Sequence, residues 1–110
     1  MNLLFVCGRN QWRSPTAEKI FHSKHGITAK SAGTSPSARI RINENHIHWA
    51  DIIFVMEDKH CAILMERYRE QLTQKKVIVL DIPDEYQYMD EELIEILNTS
   101  VLSYIDINPS

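Results

Sequence analysis

Apolar residues gather in four short stretches, residues 3–6, 27–32, 52–56 and 77–80, and each is read as a strand. The first, third and fourth are nearly unbroken apolar runs, too short for an amphipathic helix and typical of strands covered on both faces. Elsewhere the spacing changes to three and four. Ala17, Ile20 and Phe21 predict a helix over residues 15–25, with Gly26 as its stop. Cys61, Leu64, Met65, Tyr68 and Leu72 predict a helix over residues 58–71, with Cys61 as a small core residue. Leu93, Ile94, Leu97, Val101 and Leu102 predict a last helix reaching Tyr104 or Ile105, before a frayed end at Asn108, Pro109 and Ser110. Residues 39–50 show no clear period, and a short helix over residues 44–49 is the reading there. No repeat or low-complexity segment is present.

Strands that alternate with helices call for right-handed crossovers and a parallel sheet. In such sheets ligands bind beyond the carboxyl ends of the strands. Cys7, Gly33, Met56 and residues 81–84 all fall at that edge.

Cys7 stands where the first strand ends, and Ser14-Pro15 is a helix start, because proline has its φ preset for the first turn. The loop between them must turn from a strand into a helix N-terminus, and the backbone N–H groups of such a turn can converge into an anion-binding nest. A helix N-terminus and the Arg13 guanidinium both favour a cysteine thiolate over the thiol. Arg13 can grip two phosphoryl oxygens at once, which lysine cannot. Ser14 can donate a hydrogen bond to the thiolate. The plainer alternative for Cys7 is a buried thiol at a strand end, and for Asn10 an ordinary turn residue.

The C-x5-R-S pattern, with Asn10 three residues past the cysteine and S-P-x-A-E after it, resembles the low-molecular-weight protein tyrosine phosphatases. Ser31-Ala32-Gly33-Thr34 is similar to that family's S-A-G-T. Residues 82–86, Ile-Pro-Asp-Glu-Tyr, are similar to its acid loop. The resemblance spans nearly the whole chain, which at 110 residues is short for the family. It implies a flavodoxin-like α/β fold with four parallel strands in the order 2-1-3-4 and helices on both faces. It also implies hydrolysis of phosphate monoesters, of phosphotyrosine type, through a phosphocysteine. Cys7 is then the nucleophile, Arg13 the oxyanion clamp and Asp84 the general acid. Gly8, Arg9, Asn10, Gln11, Trp12 and Ser14 form the substrate loop, Tyr86 is an aromatic wall, and Ser31 braces the Asn10 side chain.

Four departures stand out. Arg9 replaces a glycine where the loop can require positive φ. Trp12 replaces a second cysteine whose disulfide protects the family's nucleophile. Gly8 and Gln11 stand where larger apolar residues wall the cleft. Glu85 replaces the proline that stiffens the acid loop, so Asp81 stays open as a rival acid beside Asp84.

Composition narrows the partners. A net charge of −3 gives no basic footprint for nucleic acid or an anionic membrane surface. No stretch approaches the roughly 20 apolar residues of a membrane span. Two cysteines make no disulfide framework, and a working thiolate needs a reducing compartment, so the cytoplasm is expected. The five histidines lack zinc-finger spacing, and His46 and His48 read as solvated. No metal or cofactor is expected. The partners are a phosphorylated protein or small phosphoester, with phosphate, sulfate or vanadate as site ligands. A non-catalytic phosphate-binding module is the second reading, and arsenate reduction the third.

Overall fold

The computed structural model describes residues 1–105 of the 110-residue chain, so the expected frayed end at Asn108 to Ser110 lies outside the described residues. Strands and helices alternate: β1 (Asn2–Cys7), α1 (Arg13–Phe21), β2 (Thr28–Gly33), α2 (Glu44–Trp49), β3 (Ile52–Val55), α3 (Asp58–Tyr68), β4 (Lys76–Val79) and α4 (Glu91–Leu102). All pairings are parallel, in the order β2-β1-β3-β4.

Strand β1 lies inside the sheet and its side chains alternate between two cores, as the twofold repeat of a strand requires. Leu3, Phe5 and Cys7 point to the side covered by α1 and α4. Leu4 and Val6 point to the side of Ile47 and Leu64, covered by α2 and α3. Phe5 stacks between Phe21 and Phe54, with ring centroids 5.6 and 5.4 Å away. Five residues of β1, from Leu3 to Cys7, are buried. A fully covered strand is a firm base for the loop that follows it.

Several ends differ from the sequence reading. Helix α1 stops at Phe21, four residues early, because His22 turns to extended backbone and its ring accepts the Ala29 N–H. Ser23, His25 and Gly26 then all take positive φ. Helix α3 stops at Tyr68, and Met65 faces outward at 39% exposure. Cys61 is half-buried against the α2–α3 core. At the C-terminal end Leu102 and Tyr104 are exposed while Ile105 is buried. Helix α2 spans the expected residues. Asn43 caps it and His46 answers by accepting the Asn43 N–H, so this histidine is engaged in a reciprocal cap. Among the described residues no helix is long and apolar enough to cross a membrane.

Candidate active site

The loop after β1 is shaped by the segment after β2. Four consecutive carbonyls, of Cys7, Gly8, Arg9 and Asn10, accept hydrogen bonds from Thr34 N, Ser35 N, Arg39 N and Arg39 Nε at 2.9–3.1 Å. A planar trans peptide points its C=O and N–H in opposite directions, so the N–H groups following those carbonyls face the other side. Among the described residues, the N–H groups of Arg9, Asn10 and Gln11 reach no backbone carbonyl. Unpaired N–H groups on one side of such a turn can hold an anion. Asn10 makes the turn with φ of 56°, a left-handed conformation that asparagine tolerates. Arg9 does not take positive φ, so the strain expected from its replacing a glycine does not arise.

Gly33 sets the spacing between the two segments. A Cβ on it would lie 2.5 Å from Gly8 O and 2.6 Å from Ala38 Cβ, so no larger residue fits without moving the nucleophile loop.

Cys7 is buried at the floor, with its Sγ 3.0 Å from Ser14 Oγ. Asn10 Nδ2 donates to the same oxygen at 2.8 Å, which leaves the serine proton free to point at sulfur. Ala32 O, at 3.5 Å, is the more distant alternative acceptor. Asn10 and Ser14 thus stand behind the loop, fully buried, and hold the sulfur rather than lining the cavity. Ser31 does not brace Asn10. Its hydroxyl donates to Glu18 Oε1 at 2.5 Å, tying β2 to α1.

Helix α1 begins over this loop without a side-chain cap and without an acid in its first turn. The other three helices each carry acids there, Glu44 in α2, Asp58 in α3, Glu91 and Glu92 in α4. The positive end of the α1 dipole is therefore left for an anion from outside.

Arg13 is buried and aimed by two partners. Its Nη1 donates to Glu57 Oε1 at 2.5 Å and to Ile82 O at 2.8 Å. Arg13 also lines the cavity, where its Nε lies 3.7 Å from Asp84 Oδ1. Burial raises the Glu57 carboxyl, but the hydrogen bond and charge of Arg13, then Lys59 and His60, hold it below the usual range overall.

The cavity has a volume of about 430 Å³. It is lined by Cys7, Gly8, Arg9, Gln11, Trp12 and Arg13 of the loop and helix start, and by Lys59, His60, Ile63 and Asp84. Asp84 is the one acid of its loop that reaches the cavity. Asp81 is exposed and outside it, Glu85 is exposed and outside it, and Asp90 caps α4 by accepting from Glu92 N and Leu93 N. The acid loop is pinned at both ends, by Ile82 N to Met56 O and by Met89 N to the buried Thr16 hydroxyl. Tyr86 does not line the cavity as expected. It packs against the α1–α4 core, and Tyr88 is the tyrosine of this loop that lines the neighbouring groove.

Sequence reasoning names neither Glu57 nor His60 as site residues, though both belong to the site. His60 accepts the Glu57 N–H on Nδ1 at 3.1 Å, so its neutral ring carries the proton on Nε2. That atom is buried, has no partner among the described residues, and would lie 3.7 Å from a Cβ at Gly8. Burial, then the charge of Arg13, push His60 down to about 4, against the weaker upward pull of Glu57 and Asp84. The available signal was the E-x-x-H spacing at a helix start, a capping-box pattern.

The sequence matches no family model and no curated protein. The fold has close structural counterparts. SP-PTP, a low molecular weight protein tyrosine phosphatase from Streptococcus pyogenes, superposes with a TM-score of 0.76 at 20% identity, over 96% of this chain and 93% of that one. Wzb from Vibrio vulnificus, solved with benzylphosphonate, gives 0.72 at 20% identity, over 94% and 95%. YwlE arginine phosphatase from Geobacillus stearothermophilus gives 0.67 at 20% identity, over 97% and 99%. The four-stranded parallel sheet in the order 2-1-3-4, with helices on both faces, is the fold of the low molecular weight protein tyrosine phosphatases.

Proposed function

We propose that this chain is a phosphatase that hydrolyses phosphate monoesters in two steps through a phosphocysteine. The observation that carries the reading is the Cys7 sulfur, 3.0 Å from Ser14 Oγ, at the floor of a cavity walled by the nest, Arg13 and Asp84.

The phosphoryl group sits on the nest, its non-bridging oxygens held by loop N–H groups and by the Arg13 nitrogens not bonded to Glu57 and Ile82. The Cys7 thiolate attacks phosphorus as the ester oxygen departs, and Asp84 gives that oxygen its proton. In the second step water attacks the phosphocysteine. Asp84, now a carboxylate, takes a proton from the water, and the thiolate leaves with the Ser14 hydroxyl directed at it. Phosphate is released and the enzyme is restored. The residues supply nucleophile, charge and proton transfer, and the reading assigns no role to a metal or cofactor.

The substrate classes that fit are phosphotyrosine-type esters on proteins and small phosphoesters. The two acids named from the sequence are separated by position: Asp84 lies on the cavity and Asp81 does not, which supports Asp84 as the acid. It also favours turnover over a non-catalytic phosphate-binding module. Arsenate reduction needs a relay thiol near the nucleophile, and Cys61 packs with the α2–α3 core while Cys7 packs with the α1–α4 core. The reducing environment that a free thiolate requires fits a cytoplasmic setting.

The test is hydrolysis of p-nitrophenyl phosphate. Turnover inhibited competitively by phosphate, sulfate or vanadate and indifferent to chelators is expected. Activity lost to a chelator and restored by a divalent metal would overturn the mechanism.

A further inference from the structure

A second groove, of about 680 Å³, opens beside the cavity and shares Gln11 and Trp12 with it. Two large aromatic side chains flank it, Trp12 at 41% and Tyr88 at 50% exposure. Exposed tryptophan and tyrosine on one rim are typical of surfaces that receive a polypeptide, since each offers apolar area with a polar tip.

The charge of the two linked hollows runs against that of the whole chain. The net charge is −3, yet Arg9, Arg13, Lys19, Arg39 and Lys59 line them against two carboxylates, Glu18 and Asp84. Glu18 is further engaged, because its Oε1 accepts the Ser31 hydroxyl. Lys19 is exposed, and Arg39 is held in place by its bond to Asn10 O. An anion in the groove would therefore meet two cations, of which Arg39 is tied to the nucleophile loop.

We propose, on the basis of the phosphatase reading above, that this groove is a polypeptide subsite. It receives the residues flanking the phosphorylated side chain of a protein substrate and prefers acidic side chains there. The flanking acid meets Lys19 and Arg39, and the peptide lies against Trp12 and Tyr88. A small phosphoester fills the cavity alone and gains nothing from the groove.

The experiment compares two phosphotyrosine peptides that differ only in flanking residues, Asp and Glu in one, Lys in the other, with p-nitrophenyl phosphate as reference. The acidic peptide is expected to have a kcat/KM roughly three- to tenfold higher, the scale of one or two partly exposed ion pairs. Lys19→Glu should bring that ratio to one or invert it. Tyr88→Ala should lower both peptides relative to p-nitrophenyl phosphate. Equal values for the two peptides, or a ratio that Lys19→Glu leaves unchanged, would overturn the subsite. Binding of the same peptides to Cys7→Ser, followed by calorimetry, reads the groove without turnover. If neither peptide nor aryl phosphate is hydrolysed but the acidic peptide binds more tightly, the subsite stands and the phosphatase reading fails. If the two bind equally there, the subsite fails.

Discussion

Arg13 and Glu57 form the shortest ion pair of the described residues, 2.5 Å from Nη1 to Oε1, with the guanidinium almost wholly buried. The pair fixes one nitrogen of a planar group that lines the cavity. A carboxylate 44 residues away in sequence thus aims the residue expected to grip phosphate.

Glu57→Gln keeps the size of the side chain and removes the charge. It should reduce kcat/KM for aryl phosphates by roughly 10- to 100-fold, equivalent to about 1.4–2.8 kcal/mol, and weaken competitive inhibition by phosphate. Arg13→Lys should be more damaging, since the fork geometry is lost with the charge retained. Steady-state kinetics with vanadate inhibition reads both. Wild-type kinetics in Glu57→Gln would make the pair purely structural.

His60 makes stability depend on pH. Its folded-state value of about 4 lies below the unfolded 6.5, so the unfolded chain binds the extra proton between those limits. Its contribution is complete above about pH 6.5 and is lost as pH falls toward about 4, by on the order of 3 kcal/mol at most. The depressed Glu57 carboxyl acts in the same direction at lower pH, its contribution being lost as that group protonates. His60→Gln keeps an acceptor for the Glu57 N–H, as capping boxes allow, and should flatten the curve between pH 4 and 6.5. Urea unfolding across pH is the measurement, and an unchanged slope in the variant would contradict the assignment.

Gly33→Ala tests the packing of the nucleophile loop. The added carbon would press on Gly8 O and Ala38 Cβ, and the cost is expected to be roughly 1–3 kcal/mol of stability. Activity should fall further than stability alone explains, because Gly8 adjoins Cys7. Normal kinetics in a well-folded variant would show that the loop has slack.

Asp84 and Asp81 separate by leaving group. Asp84→Asn should slow phenyl phosphate far more than p-nitrophenyl phosphate, because a good leaving group needs little protonation. Asp81→Asn should leave that dependence alone. The opposite pattern would make Asp81 the acid.

The fold was legible because burial dictates it. Strand β1 is covered on both faces and must be uniformly apolar, and β3 follows the same rule. The end of α1 was not, since Ser23 and His25 take left-handed turns without being glycine, and Gly26 drew the boundary four residues too far. In the site, Cys7, Arg13 and Ser14 were legible because their chemistry fixes residue type and spacing along one short loop. Glu57 and His60 were hidden because their roles depend on β3 ending beside β1, a relation of the fold. Tyr86 and Tyr88 sit two apart in an irregular loop where no period tells which one faces the core. Ser31 illustrates the same limit, since it was expected to brace Asn10 and the packing of α1 against β2 gives its hydroxyl to Glu18 instead.

The phosphocysteine is tested most directly by intact-mass analysis of acid-quenched protein during turnover of p-nitrophenyl phosphate. A transient adduct of one phosphoryl group, mapped to Cys7 and absent from Cys7→Ser together with turnover, is the expected result. Nitrophenol released at the wild-type rate by Cys7→Ser, or turnover with no adduct on Cys7 at any quench time, would contradict it.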